Sequence, residues 1–190
     1  GGGRGRARGP RPGQAAVSRG TGDYAVGEGS GKSAGGSGAF YSGNGVYKST
    51  DNGETWARRP NSNTSALETF STNADAISRV IVDPTNGNVY MAALAAIIRS
   101  TDGGASWGTS LSGTLSNSGQ FTDIVVTSTG RFYAGIGGTN TSTVDGVWTS
   151  TTGASGSWTR IAGPAGTPTN WNAQGTYGRV VLAIAPNSEN

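Results

Sequence analysis

One twelve-residue pattern occurs three times along the chain and constrains its fold more than any other feature. The first copy is Gly45-Val46-Tyr47-Lys48-Ser49-Thr50-Asp51-Asn52-Gly53-Glu54-Thr55-Trp56, and the second is Ala96-Ile97-Ile98-Arg99-Ser100-Thr101-Asp102-Gly103-Gly104-Ala105-Ser106-Trp107. The third runs from Gly146-Val147-Trp148-Thr149-Ser150-Thr151-Thr152 on to Trp158. Ser49 and Ser100 are 51 positions apart, and Ser100 and Ser150 are 50 apart. Self-similarity of that period marks a repeat architecture, and the period suits a four-stranded propeller blade with generous loops.

A second repeated element precedes each copy. Gly22-Asp23-Tyr24-Ala25-Val26-Gly27-Glu28-Gly29 aligns without gaps on Gly130-Arg131-Phe132-Tyr133-Ala134-Gly135-Ile136-Gly137, with Gly87-Asn88-Val89-Tyr90-Met91-Ala92-Ala93-Leu94 between them. Short apolar runs, Val80-Ile81-Val82 and Ile124-Val125-Val126, come ahead of that element in the second and third repeats. Each repeat therefore reads strand, turn, strand, loop, strand, tight turn, strand. Composition agrees: 34 glycines in 190 residues disfavour long helices, whereas Val, Ile, Tyr and Trp in short clusters favour strands.

Within the repeat, Ser-x-Asp-x-Gly-x-x-Trp is a hairpin device. A carboxylate at Asp51 or Asp102 is placed to accept turn N–H groups, and a hydroxyl at Ser49 or Ser100 to tie the incoming strand. Gly53 and Gly104 are expected at positive φ, and Trp56 and Trp107 as apolar anchors between layers. The third copy departs from this pattern. Thr152 replaces the acid, and Ser150 to Trp158 is one residue longer than Ser49 to Trp56, so that hairpin is expected to hold by a different turn.

Other motifs fall away on spacing or residue type. Gly27-Glu28-Gly29-Ser30-Gly31-Lys32-Ser33 ends like a phosphate loop, but Val26 stands where the first glycine is required. Asn63-Thr64-Ser65 and Asn140-Thr141-Ser142 fit the glycosylation sequon, as chance provides in so Ser/Thr-rich a chain. Asp51, Asp83 and Asp102 lack the spacing of a calcium loop and read as turn residues, so no metal site is expected. With neither Cys nor His in the chain, disulfides, thiolate zinc sites and His-dependent triads are excluded, and no cofactor is expected. The pI near 9.5 traces to Arg4, Arg6, Arg8 and Arg11; the other ten basic residues face 11 acidic ones, a net charge of −1. Residues 1–14 thus read as a disordered Arg/Gly-rich tail, and nucleic acid is not an expected partner of the folded part. No apolar run approaches the ~20 residues of a membrane-spanning helix.

Ser-x-Asp-x-Gly-x-x-Trp resembles the Asp box, or bacterial neuraminidase repeat, and the resemblance extends over all but the N-terminal tail. It implies an all-β fold, a β-propeller fragment of four-stranded antiparallel blades with Asp-box hairpins. Blades are expected at 15–60, 61–112 and 113–165. A fourth, expected to be truncated, starts at 166–190, because Ile184-Ala185-Pro186-Asn187-Ser188-Glu189-Asn190 matches Val82-Asp83-Pro84-Thr85-Asn86-Gly87-Asn88. Families with this box include sialidases, xyloglucanase-type glycoside hydrolases, sortilin-type receptors and large secreted bacterial proteins; Gly45–Trp56 looks most like the last group and its sortilin-like relatives. The resemblance implies an extracellular or cell-surface module, and the box residues Ser49, Asp51, Gly53, Trp56, Ser100, Asp102, Gly104, Trp107, Ser150 and Trp158 are structural in it.

Ligands of such propellers meet the blades where the innermost strands begin. By the repeat alignment those positions hold Asp75 and Arg79, then Asp123, then Tyr177 and Arg179. Carboxylates and guanidinium groups there suit a sugar or carboxylate ligand. The expectation is a non-catalytic module binding protein or polysaccharide, alongside the remaining blades of its parent chain. The alternative is a glycoside hydrolase with funnel carboxylates, of which Asp123 is one candidate. It would be xyloglucanase-like rather than a sialidase, because no Phe/Tyr-Arg-Ile-Pro motif precedes the first box.

Overall fold

The computed structural model describes residues 16–18, 23–27, 43–64, 72–112, 121–137, 144–163 and 179–185. Within them lie three four-stranded antiparallel sheets. The first contains β1 (Ala16–Ser18), β2 (Asp23–Gly27), β3 (Gly45–Ser49) and β4 (Ala57–Arg58). The second contains β5 (Ile77–Val82), β6 (Val89–Ala93), β7 (Ala96–Ser100) and β8 (Gly108–Ser112). The third contains β9 (Phe121–Val126), β10 (Phe132–Gly137), β11 (Gly146–Ser150) and β12 (Thr159–Ala162). In each sheet the strands pair in chain order, which is the meander of a propeller blade. One 3-10 turn, Asn73–Asp75, leads into β5.

The three sheets share a register. The serine of each repeated turn opposes the first residue of the second strand, as Asp23↔Ser49, Val89↔Ser100 and Phe132↔Ser150. Local chemistry explains the repetition. The Gly/Asn/Asp turns flank runs of β-branched and aromatic residues, so each hairpin is specified by residues close together in the chain.

Packing between sheets is what makes the middle one apolar on both sides. Val89 and Met91 of β6 join Val46, Ile77 and Val80 in a layer between the first and second sheets. Tyr90 and Ala92, the alternate residues, join Ile97, Ile124, Phe132 and Ile136 in a layer between the second and third. Successive side chains of a strand point to opposite faces, so a strand with a core on each side reads as the unbroken apolar run Val89-Tyr90-Met91-Ala92-Ala93. Tyr90 and Phe132 are fully buried with ring centroids 4.6 Å apart, contributing about 1.5–3 kcal/mol each through burial alone.

The first strands of successive sheets lie side by side: β1 beside β5, and β5 beside β9. Residues 179–185 continue the series. They cross the third sheet at its first two strands, where Val180 meets Gly135 and the Leu182 N–H donates to Asp123 Oδ2 at 2.8 Å. A β-carbon at Gly135 would stand 2.7 Å from Val180 Cγ1, so the close approach requires glycine. Val180, Leu182 and Ile184 are half-buried while Val181, Ala183 and Ala185 are exposed, the period-two pattern of an extended segment lying on a sheet. No described helix is long and apolar enough to cross a membrane.

Candidate functional site

The repeated turns are hydrogen-bonded through their own side chains. Ser49 Oγ donates to Asp51 Oδ1 at 2.7 Å and accepts from the Gly53 N–H at 2.8 Å; Asp51 Oδ1 also accepts from the Thr55 N–H at 2.9 Å. The second copy repeats this: Ser100 Oγ donates to Asp102 Oδ1 at 2.8 Å, Gly104 N–H donates to Ser100 Oγ at 2.8 Å, and the Ala105 and Ser106 N–H groups reach Asp102 Oδ1 at 2.9 Å each. Gly53 and Gly104 have φ of 86° and 88°, a conformation that only glycine takes without strain. Hydroxyl and amide donors hold the Asp51 carboxyl at a pKa of about 2 and keep that of Asp102 well below the ordinary carboxylate range.

In the third turn a hydroxyl replaces the acid. Ser157 Oγ donates to the Ala154 carbonyl at 2.6 Å, which leaves it to accept from Ser150 Oγ at 2.7 Å. Ser150 Oγ still receives the Gly153 N–H at 2.9 Å. Ser157 stands immediately before Trp158, as Thr55 and Ser106 stand before Trp56 and Trp107, and the turn is one residue longer.

Each following turn docks on the fourth strand of the sheet before it. Ser110 Oγ donates to the Gly153 carbonyl at 2.6 Å and accepts from Trp158 Nε1 at 2.9 Å. One repeat earlier the position of Ser110, three residues after the tryptophan of the repeat, is Arg59. Its Nε donates to the Gly104 carbonyl at 3.3 Å. A guanidinium has no acceptor, so Trp107 Nε1, unlike Trp158 Nε1, is buried without a partner. In the third sheet the same position is Ile161, skipped by the pairing that sets Val147 opposite Ala162 and Trp148 opposite Arg160. Asp83 also serves a turn, accepting from Thr85 N–H, Thr85 Oγ1 and Asn86 Nδ2. The sequon residue Asn63 is buried and donates to the Gly43 carbonyl. Asn140, of the other sequon, lies outside the described residues.

Away from these turns, the first strands carry the candidate ligand contacts. A register shift in the β5–β6 pairing between Ile77 and Arg79 leaves Ser78 unpaired, and Ser78 Oγ and Arg79 both reach across to β9. Ser78 Oγ donates to the Thr122 carbonyl, and Arg79 Nε donates to Asp123 Oδ1 at 2.7 Å. Such a bulge re-aims side chains, and here it turns two neighbours toward one strand. Asp123 is only 6% exposed, and its carboxylate also accepts from the Ile124 N–H at 3.0 Å and the Leu182 N–H at 2.8 Å. A single buried acid thus ties β5, β9 and residues 179–185 together.

Asp75 is placed differently from Asp123. It is fully buried in the 3-10 turn, where its Oδ2 accepts the Thr72 N–H at 2.7 Å. Arg179 is exposed and has no ion pair or hydrogen bond among the described residues, and Tyr177 lies outside them. Of the five candidate contacts the structure therefore brings together Arg79 and Asp123. Sequence reasoning missed Ser78 and the Leu182 N–H, because a bulge and a backbone donor from a segment 59 residues away leave no local signal. Among the described residues no group of three acidic side chains, histidines or cysteines could hold a metal ion. In comparisons with family models and with curated proteins, the chain matches none.

Proposed function

We propose that the chain belongs to a non-catalytic, secreted or cell-surface module of the Asp-box propeller kind, sortilin-like or of the secreted bacterial type. Its ligand, protein or polysaccharide, meets the first strands of the sheets around Arg79. The observation carrying this reading is the state of two acids, Asp75 just ahead of β5 and Asp123 on β9. Glycoside hydrolysis needs a pair of carboxyl groups presented to the sugar, several ångströms apart and free to exchange protons. Asp75 and Asp123 are both buried, and each carboxylate accepts backbone donors; Asp123 is also held by Arg79. Oxygens so occupied are structural acceptors, whereas the Arg79 side chain, 38% exposed, is available to a ligand. The strongly depressed carboxyls, Asp51 and Asp102, belong to the turns and owe their shift to turn donors, so they fit a structural role.

The test is a binding screen of the protein against immobilised polysaccharides and candidate protein ligands, run beside hydrolysis assays on β-glucans and sialosides. Saturable binding without turnover is expected. Turnover that is lost in Asp123→Asn would overturn the proposal in favour of a hydrolase.

A further inference from the structure

We infer that Arg79 is the anchor for an acidic polysaccharide, gripping a carboxylate or sulfate group of the sugar through the outer nitrogens of its guanidinium; this rests on the binding-module reading above. Three observations converge. Arg79 Nε is fixed at 2.7 Å by Asp123, itself buried and held by two backbone N–H groups, so the guanidinium is pre-oriented before any ligand arrives. Among the described residues its side chain pairs with Asp123 alone, and 38% of it meets solvent. An arginine engaged through Nε still presents two parallel N–H donors at its far edge, a fork that matches the paired oxygens of an oxyanion.

The acids near this point, Asp75 and Asp123, are buried, and Asp123 offsets part of the guanidinium charge while fixing its position. Arg179 is exposed in the segment that donates to Asp123. The surface also favours a sugar over a protein. Protein interfaces are anchored by exposed aromatic and apolar side chains, and among the described residues the large exposed hydrophobics are Ile161 and Val181. A chain with 34 glycines and abundant Ser, Thr and Asn offers hydroxyls, amides and backbone groups instead, the partners a carbohydrate uses.

The experiment titrates the full chain with sulfated dextran, polygalacturonate and neutral dextran at two salt concentrations. The wild type should bind both charged polymers and not neutral dextran, more weakly at higher salt. Arg79→Gln should weaken binding by about tenfold or more, while Arg131→Gln, which removes the same charge from an exposed turn, should change it by less than about twofold. If Arg79→Gln unfolds the chain by stranding Asp123, the double variant Arg79→Gln/Asp123→Asn keeps an uncharged pair and should show the same loss, with its fold checked by circular dichroism. Binding of only one charged polymer identifies the oxyanion and supports the inference. Equal losses in the Arg79 and Arg131 variants, or undiminished binding without Arg79, would overturn it. Binding confined to neutral polymers or to protein ligands would overturn the anion site while leaving the binding module standing. Binding to no ligand at all would end both.

Discussion

Asp51 and Asp102 do at the scale of single residues what a metal or disulfide does in other small hairpins: they collect donors that the turn would otherwise leave unpaired. Because hydrogen bonds to the ionised form lower the Asp51 pKa from 3.8 to about 2, linkage gives the sign of the pH effect. The contribution is complete above about pH 4 and is lost as the pH falls through about 2, the folded value. Acid titration followed by tryptophan fluorescence should show stability falling in that window, and Asp51→Asn/Asp102→Asn should flatten the fall. The third turn, built on Ser157, contributes nothing to it. Arg59 supports the opposite kind of substitution. Arg59→Ser should reproduce the Ser110 geometry, donating to the Gly104 carbonyl and accepting from Trp107 Nε1. Satisfying one buried donor is worth about 1 kcal/mol, so the melting temperature should rise. An unchanged or lower value would show that the aliphatic stem of Arg59 matters more than the orphaned indole.

Strands and turns were the most legible elements because their signals are local. The apolar and aromatic runs Val89-Tyr90-Met91-Ala92-Ala93 and Phe132-Tyr133-Ala134-Gly135-Ile136-Gly137 and the turn residues beside them lie within a dozen positions, and β6 and β10 form where those runs stand. The bulge at Ser78 is not legible in the same way. Nothing in Ile77-Ser78-Arg79-Val80 marks it, since it is set by what β5 must reach on β9. The segment 179–185 lies on the third sheet with Val180 and Leu182 beside Gly135 and with the Leu182 N–H donated to the Asp123 carboxylate. Gly135→Val should therefore lift it. Hydrogen exchange at the Leu182 amide should accelerate by at least about tenfold, while amides of β6 keep their protection. Unaltered exchange at Leu182 would mean that Asp123 alone holds the segment.

For the whole molecule, stability rests on layers shared between neighbouring sheets, so no sheet is complete alone. Phe132 is fully buried at the centre of one such layer, against Tyr90 on one side and edge-on to Trp158 on the other. Phe132→Ala should cost about 3–5 kcal/mol and, because the layer joins the second and third sheets, should lower one cooperative transition rather than split it. Two separate transitions in calorimetry would show that the sheets melt independently. Sequence by itself determined the repeat, the four-strand order within each sheet and the turn chemistry of the intact copies, because hairpin closure depends on residues near each other in the chain. Tertiary structure decided how the inner acids are used. Asp123 reads as a free funnel carboxylate until β5, β9 and residues 179–185 lie side by side; it then becomes a buried acceptor, and Arg79 is left facing the solvent. Donors from three segments, Arg79, Ile124 and Leu182, converge on one carboxylate, a packing outcome that local sequence does not encode.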